Sequence, residues 1–226
     1  MKISSNTMNV LKNFSTINEN VFVKPGNVIE TISKQKNILA RAEVAESFPV
    51  EFGIHDLNNF LSVLTLSKDS SPEVDFEGNN IIINGRAGRS NTKYRMASKE
   101  VLVIPPDKKI NMDNSEICLT ISEEDLDWFQ KAASALNAPN IAFVGNGNEI
   151  TVQLFNLKDD AANINTTTLS STSDKKFKMI FATENFKFVP GSYQVTIHSK
   201  GVGHFKNASQ ALEYWVTTET GSSYEG

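Results

Sequence analysis

The sequence predicts an α+β protein built from two similar domains, each with antiparallel strands and a few helices held on one side. Three observations carry that prediction. First, the chain repeats itself: Asp56 to Ile83 reads DLNNFLSVLTLSKDSSPEVDFEGNNIII and Asp125 to Val152 reads DLDWFQKAASALNAPNIAFVGNGNEITV, and one ungapped offset of 69 residues pairs Asp56 with Asp125, Leu57 with Leu126, Phe60 with Phe129, Asn79 with Asn148 and Ile81 with Ile150. Second, short β-rich runs alternate with turn signals, and the long crossovers of a parallel sheet are missing. Third, 226 residues suit two domains of about 110 residues each, both large enough to bury a core.

In chain order, Ser4 to Phe14 offers a polar cap and then Met8, Val10, Leu11 and Phe14 at a helical period. Val21–Val23, Val28–Ile32, Ile38–Val44 and Val50–Ile54 read as an antiparallel meander broken at Pro25-Gly26 and Lys36-Asn37. The first copy of the repeat follows as a helix opened by an acid and a hairpin turned at Gly-Asn, and Ala87–Ala97 adds a strand. Pro105-Pro106 and the polar Asp107, Lys108 and Lys109 disfavour helix and central strand. The expected division is therefore a domain over 1–104, a connector over 105–114 and a second domain over 115–226.

In the second half Glu116–Ile121 is a strand, and Ser122–Leu136 is the clearest helix: Ser122 caps it, Asp125 completes a capping box, and Glu123 and Glu124 suit the first turn. Ile141–Val144 and Glu149–Leu157 form a hairpin around Gly145-Asn146-Gly147, and Lys158–Thr168 holds a loop and an edge strand. Lys176–Phe181 and Tyr193–His198 are strands, Thr183–Phe188 is a short fourth helix stopped by Pro190-Gly191, Ala211–Thr218 is the closing strand, and Gly221–Gly226 is expected to be disordered.

Composition narrows the function. A formal charge of −4, from 22 basic and 26 acidic residues, excludes a uniformly basic nucleic-acid binder, so any DNA contact needs charges segregated on one face. The single cysteine, Cys118, excludes an intrachain disulfide, and its place in an apolar strand predicts a buried thiol. No run approaches the ~20 apolar residues that span a bilayer, and Met1–Ser15 lacks the core of a signal peptide. A soluble intracellular protein is expected. His55, His198 and His204 fall in no metal spacing, GxSxG and P-loop signatures are absent, and Glu123, Glu124, Asp125 and Asp127 are accounted for by a helix dipole. The expectation is no catalytic residue, no metal and no cofactor. The lysines say more: Lys12, Lys68, Lys131 and Lys187 lie on or beside successive candidate helices, and helices sharing one side would gather them into a patch that follows phosphates without reading bases.

The opening MKISSNTMNVLKNFSTIN, the segment IHDLNNFLSVLTL and the late VPGSYQVTIHSKG resemble the sliding clamps, the DNA polymerase processivity factors, of T-even-type bacteriophages. The likeness runs along essentially the whole chain. It implies a homotrimer of head-to-tail subunits around duplex DNA, with helices lining the inner face and antiparallel sheets outside. It implies a clamp-loader ATPase that opens the ring and a polymerase whose C-terminal peptide enters an apolar pocket near the connector. It implies no enzymatic activity, and a place in the cytoplasm of the infected host. Carried onto this chain, it puts Lys12, Lys68, Lys131 and Lys187 toward DNA and Val101, Val103, Ile104, Leu64 and Leu66 at the peptide pocket. Competing expectations are a β-rich phage structural or adhesin-like protein and a hydrolase using His55 or His204.

Overall fold

The computed structural model describes residues 1–66, 72–85, 89–108 and 110–225. They fall into two compact units, Met1–Asp107 and Lys108–Gly226. Both are α+β.

The first unit runs α1 (Ser5–Ser15), β1 (Val21–Val23), β2 (Gly26–Ile32), β3 (Ile38–Phe48), β4 (Phe52–Ile54), α2 (Leu57–Thr65), β5 (Glu73–Glu77), β6 (Asn80–Gly85) and β7 (Ser90–Arg95). The expected meander is instead nested: β2 pairs with β3, while β1 reaches past both to pair with β4. Strands β5, β6 and β7 form an antiparallel sheet in that order. Residues Val10, Leu11 and Phe14 of α1 and Leu57, Phe60, Leu61 and Leu64 of α2 are buried, as the helical period of their apolar positions requires.

Strand β3 alternates strictly, and every second residue from Ile38 to Phe48 is buried. One of those inward positions is Glu46, a carboxylate where an apolar side chain belongs. The start of α1 explains it, because Glu46 accepts hydrogen bonds from the Ser4 backbone N–H and the Thr7 hydroxyl, groups at the positive end of the helix. Burial alone would raise its pKa, but the Thr7 and Ser4 hydrogen bonds together outweigh it and hold the carboxyl below its ordinary value. We expect Glu46→Ala to lower the unfolding free energy by about 1.5–3 kcal/mol, read from urea denaturation. Because the folded pKa is depressed, this contribution is present at neutral pH and fades as pH falls below that of an ordinary glutamate. The Glu46→Ala penalty should therefore shrink toward pH 3–4, and a penalty unchanged with pH would contradict the assignment.

The second unit runs β8 (Ile117–Ile121), α3 (Glu123–Leu136), β9 (Asn140–Asn146), β10 (Glu149–Phe155), β11 (Asn165–Thr172), β12 (Lys176–Ala182), β13 (Tyr193–His198), β14 (Val202–Asn207), β15 (Leu212–Thr217) and β16 (Ser223–Tyr224). One antiparallel sheet is ordered β11-β10-β9-β12-β16. The other joins β8, β13, β14 and β15 in that order. Between them lies an aromatic core in which Phe205 sits 5.0–6.4 Å from the rings of Phe143, Phe181, Phe186 and Phe188.

The repeat is visible in space, with a difference. Leu57 and Leu126, and Phe60 and Phe129, are equivalent buried positions, and each helix leads into a hairpin, β5-β6 or β9-β10. Yet Asp56 is the cap of α2, whereas Asp125 is the third helical residue of α3, locked to Ser122 in a capping box. The longer helix simply starts a turn earlier. Other expectations need correcting. Cys118 is exposed, not buried, because Ile117 and Leu119 take the inner face and a strand turns the residue between them outward. Gly145 belongs to β9 rather than to the turn, and a Cβ there would lie 2.4 Å from the Phe177 ring. The proposed fourth helix is one 3₁₀ turn, Thr183–Asn185. The tail is not loose: β16 pairs with β12, and Ser222 receives a hydrogen bond from the Ile180 N–H. Strand β14 was not anticipated.

Candidate nucleic-acid interface and partner cleft

Lys12 lies in the last turn of α1, solvent-exposed next to the inward Leu11. A cation there also complements the negative end of the helix. Lys131 lies mid-way along α3 and pairs with Asp127, one turn back, at 2.6 Å. The Gln130 side-chain amide donates to the Phe186 carbonyl at 2.8 Å, so α3 runs beside the 3₁₀ segment and brings Lys131 and the exposed Lys187 onto neighbouring elements of the second unit. Lys68 lies outside the described residues. Helix α2 contains no charged residue, and α3 carries Glu123, Glu124, Asp125 and Asp127 against the one Lys131. Over the three helices two lysines stand against four acids, the acids gathered toward the start of α3 and one of them, Asp127, paired with Lys131. Such a surface offers phosphates isolated cations and no fixed register.

The expected pocket residues do not all come together. Ile104 and Pro105 line a cleft of about 220 Å³ together with Phe22, Lys24, Val28 and Glu30. Lys24 is anchored by Asp107 at 2.5 Å, and this partner's hydrogen bond and charge raise the lysine's pKa. The ammonium of Lys99 lies 5.3 Å from the centre of the Phe22 ring. Val103 is fixed beside the cleft by a bond from its N–H to the Asn20 side chain, and Val101 stands on the 3₁₀ turn Lys99–Val101, 59 % exposed. Leu64 does not line this cleft: it is 0 % exposed, packed in the core of the first unit. Leu66 is 69 % exposed at the end of α2 and does not line the cleft. Phe22, Lys24 and Val28 line this cleft and were not among the residues expected from the sequence; the Pro25-Gly26 turn that lies between them was the available signal.

His198 and His204 each face a carboxylate, Glu116 at 3.3 Å and Glu213 at 2.8 Å, and His204 also stacks on Trp215. Among the described residues no group of three or more His, Cys, Asp or Glu is placed to hold a metal ion. No described helix is long and apolar enough to cross a membrane.

Residues 3–104 match the family model of the DNA polymerase processivity factor, and residues 118–220 match that of the gp45 sliding clamp, C terminal. The sliding clamp of Vibrio phage KVP40 is 29 % identical over 225 residues, covering 97 % of this chain and 99 % of that protein. The sliding clamp of Enterobacteria phage T4 is 28 % identical over 230 residues, covering 100 % of both. Among solved structures, the proliferating cellular nuclear antigen of Entamoeba histolytica superposes with a TM-score of 0.71 at 14 % identity, over 95 % of each chain. The PCNA of Thermococcus kodakaraensis does so with a TM-score of 0.70 at 13 % identity, over 96 % of this chain and 97 % of that one. These two likenesses concern the fold.

Proposed function

Since the chain belongs to the sliding-clamp family of DNA polymerase processivity factors, we propose that it works as a homotrimeric ring that encircles duplex DNA and tethers a phage replicative polymerase. The observation that carries the reading is the pair of successive family matches, one on each copy of the helix-hairpin repeat. The single lysines of α1 and α3 and the absence of charge on α2 are compatible with it. A closed ring cannot leave DNA sideways, so processivity comes from closure, and strong phosphate contacts would only slow sliding. Lys12, Lys131, Lys187 and Lys68 are the proposed DNA-facing residues. A clamp-loader ATPase opens and closes the ring, ATP hydrolysis belongs to that loader, and the clamp itself catalyses nothing. It acts in the cytoplasm of the infected host.

The cleft beside the connector is the proposed seat of the polymerase's C-terminal peptide. Its apolar wall of Phe22, Val28 and Ile104 would take one or two apolar side chains, and Lys24 and Lys99 would meet the peptide's terminal carboxylate. Ile104→Asp should weaken a polymerase-tail peptide at least tenfold in a fluorescence anisotropy titration while the trimer mass stays unchanged. Equal affinity in the variant would place the peptide elsewhere. The ring itself is tested by light scattering: a mass near three times 25.0 kDa, together with loader-dependent long primer extension, is the expected result. A monomer that never stimulates a matching polymerase would overturn the reading.

A further inference from the structure

Resting on the cleft reading above, we infer that Asp107 is an internal competitor for that cleft, holding on Lys24 the place that the carboxylate of an incoming peptide takes. The connector lies along the cleft as a ligand would. Ile104 and Pro105 line it, and two residues beyond Pro105 the Asp107 carboxylate meets the ammonium of Lys24, itself a lining residue, at 2.5 Å. An apolar side chain followed by a carboxylate is thus already seated on the residues proposed for the polymerase peptide.

This stretch of connector has one firm end and one loose end. Upstream, the Val103 N–H donates to the side chain of Asn20, a buried residue. Downstream, the Lys24–Asp107 pair stands in water: the Asp107 side chain is 89 % exposed and that of Lys24 46 %. An ion pair so open to solvent is weak and exchanges readily. Pro105 and Pro106 nevertheless stiffen the chain between the two ends and keep the carboxylate close to the ammonium whenever the pair opens.

Charge fits the assignment. The hydrogen bond and charge of Lys24 hold the Asp107 carboxyl below the ordinary carboxylate range, and Lys99 adds to the same effect, so the competitor is an anion throughout the neutral range. Glu30 also lines the cleft, but it faces Arg41 at 3.7 Å, which leaves Asp107 as the acid bonded to Lys24. A peptide carboxylate that reaches Lys24 has to displace Asp107, and the affinity observed is the intrinsic one multiplied by the fraction of time that Lys24 is free. A pair that served only to tie down the connector makes the opposite demand, since breaking it would loosen the cleft.

The sign of one substitution separates the two roles. Anisotropy titrations of the full chain use a peptide copying the C-terminal residues of the matching polymerase, labelled with fluorescein at its N-terminus, once with a free terminal carboxylate and once amidated. Asp107→Asn should tighten the free-carboxylate peptide about two- to fivefold and leave the amidated one unchanged. Lys24→Met should weaken only the free-carboxylate peptide, and in that background Asp107→Asn should do nothing. Glu19→Gln, which breaks the exposed Lys34–Glu19 pair of the same unit, also removes one negative charge and should have no effect. Weaker or unchanged binding in Asp107→Asn, a gain shared by the amidated peptide, or an equal gain in Glu19→Gln would overturn the competitor, while Ile104→Asp would still weaken the peptide. Full binding in Ile104→Asp would instead remove the cleft reading on which the competitor rests.

Discussion

Phe205→Ala is expected to lower the stability of the second unit by about 3–5 kcal/mol, among the largest effects of any single truncation in this chain. Phe205 is fully buried on β14, and four other rings lie within 6.4 Å of its own. Those neighbours come from β9, β12 and the Phe186–Phe188 segment, so the ring bridges both sheets of the unit. Gly203 enforces its position, since a Cβ there would lie 2.9 Å from both the Phe181 and the Phe205 rings. Neighbours so constrained by backbone cannot slide inward to fill the space, and most of the removed volume would persist as a cavity. Guanidinium denaturation followed by circular dichroism checks this, with Leu157→Ala, on the rim and 39 % exposed, as a substitution expected to cost well under about 1 kcal/mol. A Phe205→Ala cost as small as that of Leu157→Ala would mean that the two sheets repack freely.

The double reversal Lys12→Glu with Lys131→Glu should reduce loader-dependent processive synthesis at least tenfold while leaving the trimer mass unchanged. In the proposed ring each substitution appears in every subunit, so two of the proposed cations facing DNA become anions all the way round. The loss should be greatest in the readout that requires DNA inside the ring and should worsen at low salt, where unscreened repulsion reaches farthest. Lys131→Glu also leaves Asp127 facing a second carboxylate one turn away, and Lys12→Glu places an anion at the negative end of α1. Those local costs amount to about 0.3–1 kcal/mol each, which a thermal melt reports separately. Lys12→Gln with Lys131→Gln, which removes attraction without adding repulsion, should lose less. Unchanged synthesis in the reversed protein would take these helices away from DNA, and a β-rich structural protein would show that indifference.

The clearest features of the sequence were those with redundant local signals. Helix α3 announced itself through Ser122, three acids and the spacing of Leu126 and Phe129, and it folds accordingly. The repeat was legible because burial imposes the same residue types on both copies. What escaped detection was set by partners distant in sequence. Strand β14, VGHFKN, offers only Phe205 as a large inward apolar residue, and Gly203 and Asn207 read as loop until β13 and β15 are placed on either side. Glu46 gave no signal in the sequence, because its explanation, the start of α1, lies some forty residues earlier. Leu64 was carried to the pocket by the family resemblance, although the helical period that buries Leu57, Phe60 and Leu61 buries it too. The cleft needed Phe22 and Ile104 brought together by the fold.

The short β16 clip has a consequence for the chain before it meets any partner. Strand β12, KFKMIFA, combines β-branched, aromatic and aliphatic residues without proline, the composition that stacks into fibres when an edge is left bare. Ser223 and Tyr224 occupy that edge, and the backbone N–H groups of Glu219 and Glu225 bond to β12 carbonyls on either side. Here that edge of β12 is covered from within its own chain, so in a crowded cell a neighbouring chain finds those backbone groups already paired.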